Sequence, residues 1–211
     1  TGNIIGHGVA HGALVYVHGV QSYGDTLSVD NAAGGSITAI AEAERFGLGE
    51  AVAIEAHGIY DVGITNAGDI TAYGSAHGFA EGEYVFLGAA NAIGVYGEAS
   101  FFGNVAVTNS GDVSAIAVAS ENVNSQSASA GASGVIAYGK YDATVVNAGD
   151  ILASATSDLG IAGAYGVQVH GKYSGNLVNE AGATIVALAQ VGSQDSDQYA
   201  GRAVAFGVHM F

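Results

Sequence analysis

Apolar residues in this chain alternate with small or polar ones over short stretches, and the stretches return. Leu27-Ser28-Val29, Gly63-Ile64-Thr65, Val105-Ala106-Val107-Thr108, Thr144-Val145-Val146 and Asn176-Leu177-Val178 each lead into an asparagine. Beyond it the alternation restarts in Ile37-Thr38-Ala39, Ile70-Thr71-Ala72, Val113-Ser114-Ala115, Ile151-Leu152-Ala153 and Ile185-Val186-Ala187. A period of two puts successive side chains on opposite faces of an extended strand. A third set opens on glycine: Gly134-Val135-Ile136-Ala137-Tyr138-Gly139, Gly166-Val167-Gln168-Val169-His170-Gly171 and Gly94-Val95-Tyr96-Gly97. Gly58-Ile59-Tyr60 and Leu14-Val15-Tyr16-Val17-His18-Gly19 read as weaker copies of it. No stripe of helical period separates these strands.

The hinge between the first two sets is Asn-x-Gly-Asp-(Ile/Val), at Asn66, Asn109 and Asn147, with looser copies at Asn31 and Asn179. The five asparagines are 35, 43, 38 and 32 residues apart. Strand signals at such a period, with elastic stretches between, predict a solenoid. With no helix to carry a crossover, equivalent strands pair in parallel. The expectation is an all-β, single-stranded parallel β-helix of about five three-strand coils with variable loops. It is right-handed by the general rule for parallel crossovers. It forms one β-solenoid domain over 1–211, with repeats near 13–57, 58–93, 94–133, 134–165 and 166–211. The segments 41–57, 74–93, 118–133, 155–165 and 189–206 read as insertions on one side. Two apolar runs inside them, Ala51–Ile54 and Tyr84–Leu87, are expected to fold back over an outward column of Ile40, Tyr73, Ile116 and Leu188.

Stacking turns the repeat into columns of like residues, and three columns carry candidate chemistry. Asn31, Asn66, Asn109, Asn147 and Asn179 predict an internal amide ladder, because an amide both donates and accepts. Asp69, Asp112 and Asp150 on successive coils repel one another unless solvated or bridged, so Ca²⁺ is a possible ligand. The bland alternative is that each carboxylate caps its own turn, and the Gly-Gly-x-Gly-x-Asp signature of Ca²⁺ solenoids is missing. Tyr16, His18, Tyr60, Tyr96, Tyr138, His170, His209 and Phe211 are assigned to an outward amphipathic column, either a ligand-binding face or ordinary side-chain stacking. Lys140 and Lys172 fall at one turn on neighbouring coils, where they neutralise Asp142 and nearby acids or serve a site. His7 and His11 stand in a strand-like context unsuited to a shared metal.

Composition narrows the partners. The chain has 19 acidic residues against 4 basic, a formal net charge of -15. Such a surface repels nucleic acid and anionic membranes. There is no Cys, which excludes disulfides and thiolate metal sites, and no Pro, which suits a backbone committed to sheet ladders. No apolar run is long enough for a transmembrane helix, and no signal-peptide pattern opens the sequence. No Asp/Glu/His/Arg cluster outside the repeat stands out. A Thr array of the ice-binding kind fails after Thr38 and Thr71, where Ser114, Leu152 and Val186 follow.

The pattern G-V-x-x-x-G … V-x-N-x-G-x-I-x-A-x-A, with the variant Val178-Asn179-Glu180-Ala181-Gly182-Ala183-Thr184-Ile185, resembles the passenger domains of bacterial autotransporters and related haemagglutinin-type β-helix adhesins. The resemblance implies a secreted or surface-exposed stalk of a Gram-negative bacterium, noncatalytic and without cofactor. Its role would be in adhesion, aggregation or biofilm. Its partners would be host-surface or matrix glycans or proteins, or further copies of itself. It also implies export through a carboxy-terminal outer-membrane barrel, absent from this stretch. Neither end shows a polar cap, so either the natural chain continues or copies stack end to end into an extracellular filament. A glycan-active β-helix enzyme is the third expectation.

Overall fold

The computed structural model describes residues 2–11, 14–44, 47–81, 84–86, 88–121, 128–192 and 201–211. Among them there is no helix, and three parallel sheets wind around one core. Sheet A holds β1 (Asn3–Ala10), β4 (Ser36–Ala43), β7 (Asp69–Glu81), β11 (Val113–Glu121), β14 (Ile151–Ser157) and β17 (Ile185–Val191). Sheet B holds β2 (Val15–Gly24), β5 (Gly47–Gly58), β9 (Gly88–Ala99), β12 (Ala128–Gly139), β15 (Gly160–Gly171) and β18 (Arg202–Met210). Sheet C holds β3 (Leu27–Asn31), β6 (Val62–Asn66), β10 (Val105–Asn109), β13 (Asp142–Asn147) and β16 (Ser174–Asn179). The chain visits A, B and C in turn, so the fold is a parallel β-helix with three strands to a coil.

Sheets A and C follow the expected alternation. In β4 the inward residues are Ile37, Ala39, Ala41 and Ala43, all buried. In β10 they are Val105, Val107 and Asn109. Val and Ile fill the end of the coil beside sheet C, while alanines fill the arm between sheets A and B. There the facing backbones come close. A Cβ on Gly49 would lie 2.2 Å from the Ser75 carbonyl oxygen, and one on Gly74 would lie 2.1 Å from that of Asn91. The first coil balances volume differently: Gly6 and Gly8 of β1 make room for Val17 and Val15 of β2, where later coils place alanine or, at Gly49 and Gly74, glycine.

Sheet B departs from the expectation. Its strands are long, and their alternation changes phase in the middle. In β9 Ala90 and Ala92 point inward, then Val95, Gly97 and Ala99. The change falls at Gly94, and in its neighbours at Gly134 and Gly166. At these positions a Cβ would meet the first inward side chain of the next sheet A strand: Val113, Ile151 and Ile185 respectively. The segments read as insertions are therefore largely strand. Ala51–Ile54 lies inside β5, with Ala51 and Ala53 fully buried, and does not fold back over sheet A. Tyr84–Phe86 forms the short β8, which pairs antiparallel with Phe79–Glu81 at the end of β7, beyond Tyr73 of the outward column. Leu87, and positions 122–127 and 193–200 of the other variable segments, lie outside the described residues.

Candidate functional site

At the corner between sheets C and A the five asparagines form a continuous ladder. Asn31 Nδ2 donates to Asn66 Oδ1 at 2.7 Å, Asn66 to Asn109 at 2.7 Å, Asn109 to Asn147 at 2.8 Å and Asn147 to Asn179 at 2.8 Å. The amides of Asn109 and Asn147 also donate to the carbonyls of Gly111 and Gly149 at 2.8 Å. The backbone continues the pairing round the corner, through Ala67 N–H to Asn31 O, Ser110 to Asn66, Ala148 to Asn109 and Glu180 to Asn147. Asn66, Asn109 and Asn147 are fully enclosed and Asn31 is buried, so these rungs are interior and offer no surface to a ligand, while Asn179 at the end of the ladder is exposed.

The aspartates that follow lie on the same corner. Asp150 Oδ1 accepts from the backbone N–H and hydroxyl of Thr184 on the next coil, at 3.1 and 2.7 Å. It thus ties one coil to its neighbour rather than capping its own turn. Among the described residues no three His, Cys, Asp or Glu side chains converge as a metal-ligand group, so Asp69, Asp112 and Asp150 do not form one. His7 and His11 each face a carboxylate across the β1–β4 pair, Glu42 at 3.7 Å and Glu44.

The register of sheet B redraws the aromatic column. Tyr138 aligns with His170, Glu98 and, through Glu98, with His57 and then Tyr23. Tyr96 and His209 stand two residues earlier, in the column of Gln21, Glu55, Ile136 and Gln168. Tyr16 and His18 belong to the other half of the strand, and Tyr60 lies beyond the strand in the bend after Gly58. The assigned column is therefore corrected: Gly58 closes its strand, as Gly139 and Gly171 do, and does not open one. What results is a ladder of rings on the outer face of sheet B. Tyr23 and His57 stack with centroids 5.1 Å apart and planes within 4°. His57–Tyr96, Tyr96–Tyr138 and Tyr138–His170 continue at 5.2, 5.9 and 5.8 Å, and His170–Phe211 closes the run at 4.8 Å. Tyr60's bend belongs to a neighbouring aromatic patch, in which Phe102, Tyr141 and Tyr173 follow one another at 5.9 and 5.3 Å.

The same register assembles a polar cluster that the sequence did not disclose. His57 Nε2 lies 2.8 Å from Glu55 Oε1 and its Nδ1 lies 3.0 Å from Glu98 Oε2. Tyr96 Oη donates to Glu98 Oε2 at 2.9 Å, and Gln21 Nε2 donates to Glu55 Oε2 at 2.6 Å. His18 Nδ1 approaches Glu55 Oε2 to 2.8 Å without hydrogen-bond geometry. Burial alone would raise the Glu55 carboxyl, but hydrogen bonds from His57 and Gln21 and the imidazoles of His18 and His57 outweigh it. The group titrates below its ordinary value of 4.5. Burial, then the hydrogen bond to Glu98, pushes the Tyr96 phenol well above its usual range, and burial with the Glu98 charge raises Tyr138.

A depressed carboxyl stabilises the fold above its unfolded pKa, and that contribution is lost as pH falls through the lower folded value. Between about pH 5 and about pH 3 the thermal midpoint of the wild-type chain should fall more than that of Glu55→Gln. Parallel declines in a pair of melting series would remove Glu55 from the account.

Beside the ring ladder, at the corner between sheets B and C, runs an open groove. One part, of about 410 Å³, lies among Tyr23, Asp25, His57 and Ile59. A second, of about 310 Å³, lies among Tyr138, Lys140, His170 and Lys172. Glu98 and Ser100 line both. Asp61, Asn104 and Asp142 brace the corner: Asp61 Oδ1 accepts from Asn104 N and Nδ2 at 3.0 and 3.2 Å, and Asn104 Oδ1 accepts from Asp142 N at 3.3 Å. Among the described residues neither Lys140 nor Lys172 forms a salt bridge with Asp142 or any other acid. Comparison with protein-family models, curated proteins and solved structures returns no match.

Proposed function

We propose that the protein is a noncatalytic, extracellular β-solenoid that presents the outer face of sheet B to a surface glycan or protein, in the manner of an adhesin stalk. The observation that carries this reading is the ring ladder from Tyr23 through His57, Tyr96, Tyr138 and His170 to Phe211, lying along an open groove. Flat rings with polar edges suit the apolar faces and hydroxyls of sugars, and they suit the aromatic-rich centres of protein interfaces. The net charge of -15 turns such a face away from nucleic acid and towards uncharged or locally compensated partners. The autotransporter likeness of the Asn-x-Gly repeats supports placement at a bacterial surface, with the solenoid holding the ring ladder away from the membrane.

Tyr138→Ala removes a ring from the middle of the ladder. Its expected effect is about tenfold weaker binding to target cells or to an immobilised glycan library, with circular dichroism unchanged. Binding that survives the substitution undiminished would detach the ladder from recognition.

A further inference from the structure

The groove at the B–C corner is chemically asymmetric. Of the 4 basic residues in the chain, Lys140 and Lys172 both line its second part. They follow Gly139 and Gly171, which are paired in register, so the two ammonium groups stem from adjacent coils at one turn. Coils are about 4.8 Å apart, the spacing of strands in a sheet. Lys172 Nζ rests over the Tyr173 ring, 5.3 Å from its centroid, and Lys140 is exposed, so both flexible side chains are free to turn their charges onto one anion, which would relieve their mutual repulsion. In a protein with 19 acidic side chains, two lysines at one turn with no carboxylate in salt-bridge contact among the described residues are an arrangement that favours an external anion.

The surroundings narrow the anion. Tyr138 and His170 supply ring surfaces 5.8 Å apart beside the lysines. His170 Nδ1 is buried without a hydrogen-bond partner. Glu98 borders the groove with Oε2 engaged by both His57 and Tyr96, so Oε1 remains an acceptor for hydroxyl groups. Ser100 adds a second hydroxyl-compatible group. A bare phosphate or a fatty carboxylate would use the lysines and leave the rings or the hydroxyl acceptors idle. A sugar acid uses all of them.

We infer that the second part of the groove is a subsite for an acidic saccharide, with the sugar carboxylate held by Lys140 and Lys172, the ring face on Tyr138, and ring hydroxyls on Glu98 and Ser100. This rests on the reading of sheet B as a recognition face and names the ligand class it takes. The groove continues into the part beside Tyr23 and His57, whose lining holds no Lys or Arg, so further units of a bound saccharide that extend there would be uncharged ones.

The test is binding of the whole chain to an oligouronate and to the same oligosaccharide with its carboxylates reduced to alcohols, followed by calorimetry. Lys140→Gln/Lys172→Gln is compared with the wild type, and Tyr138→Ala is run beside it. The expected result is at least about tenfold preference for the acidic form in the wild type, lost in the lysine double variant and weakened by added salt. Equal affinity for both forms, or acid binding indifferent to the two lysines, overturns the acidic subsite. If Tyr138→Ala still weakens the neutral oligosaccharide or cell binding in that case, the recognition face stands without it. Absence of binding to either sugar and to cells removes both.

Discussion

Asn147→Ala should cost about 4 kcal/mol of stability, read as a lower urea midpoint by circular dichroism. The figure follows from the bonds the amide makes. Asn147 accepts from Asn109, and donates to Asn179 Oδ1 and to the Gly149 carbonyl, with no part of it exposed. Truncation leaves an N–H of Asn109, an amide oxygen and a carbonyl without partners. Each buried orphan costs roughly 1–3 kcal/mol, and the more open Asn179 recovers part of its share from water. Asn147→Asp tests the directionality. A carboxylate can still accept from Asn109 but donates nothing downstream, so it should also destabilise despite its matching size. Asn179→Ala, at a more exposed rung, should do least of the three. A loss below about 1 kcal/mol in Asn147→Ala would mean that the ladder is a decoration on a register set by the apolar core alone.

Gly111→Ala should destabilise by about 3 kcal/mol, the upper range for overpacking. The cause is not backbone conformation, since among the described residues φ is positive only at Gly34, Gly47, Gly160 and Gly182. It is the coil next door. An added Cβ would lie 2.1 Å from the Gly68 carbonyl oxygen and 2.8 Å from its carbon. Both belong to main chain, which cannot rotate away as a side chain would. Gly68 meets Gly35, and Gly149 meets Gly111, in the same way at 2.2 and 2.1 Å. One methyl group therefore separates two coils where the asparagine bonds need them close. Gly163→Ala is the control: the nearest atom to its Cβ would be Tyr165 Cε2 at 3.9 Å, and alanine there should be neutral or mildly stabilising. Equal melting behaviour of Gly111→Ala and Gly163→Ala would discard the stacking explanation for the motif's glycine.

These two residue types explain why part of the molecule could be read from its sequence. Sheets A and C announce themselves because their alternation is strict and because Asn and Gly recur at a corner where every coil has the same geometry. Ile37-Thr38-Ala39 and its copies sit where the pattern puts them. Sheet B is different. A strand whose inward phase changes at Gly94, Gly134 or Gly166 looks like two objects, a variable insertion and a short strand, since alternation is the signal by which a strand is recognised. The candidate face inherited that error. With Gly58 taken as an opening glycine, Tyr60 joined the column and His57 was left out of it. Aligning Gly24, Gly58, Gly139 and Gly171 as closing residues would have brought Tyr23, His57, Glu98, Tyr138 and His170 into one line before any coordinates. The contacts of Glu55 and Glu98 with His57 depend on side-chain reach between adjacent columns, and no spacing rule discloses that.

The amide ladder also settles where the sequence is free to change. Every coil is fastened at the C–A corner by a rung that reads only its two neighbours, like the sewn edge of a book. The A–B connections lie away from that edge and already differ in length, from 158–159 to 192–201. New segments can thus be accepted there page by page, while the order of the pages, and with it the line of rings on sheet B, stays as bound.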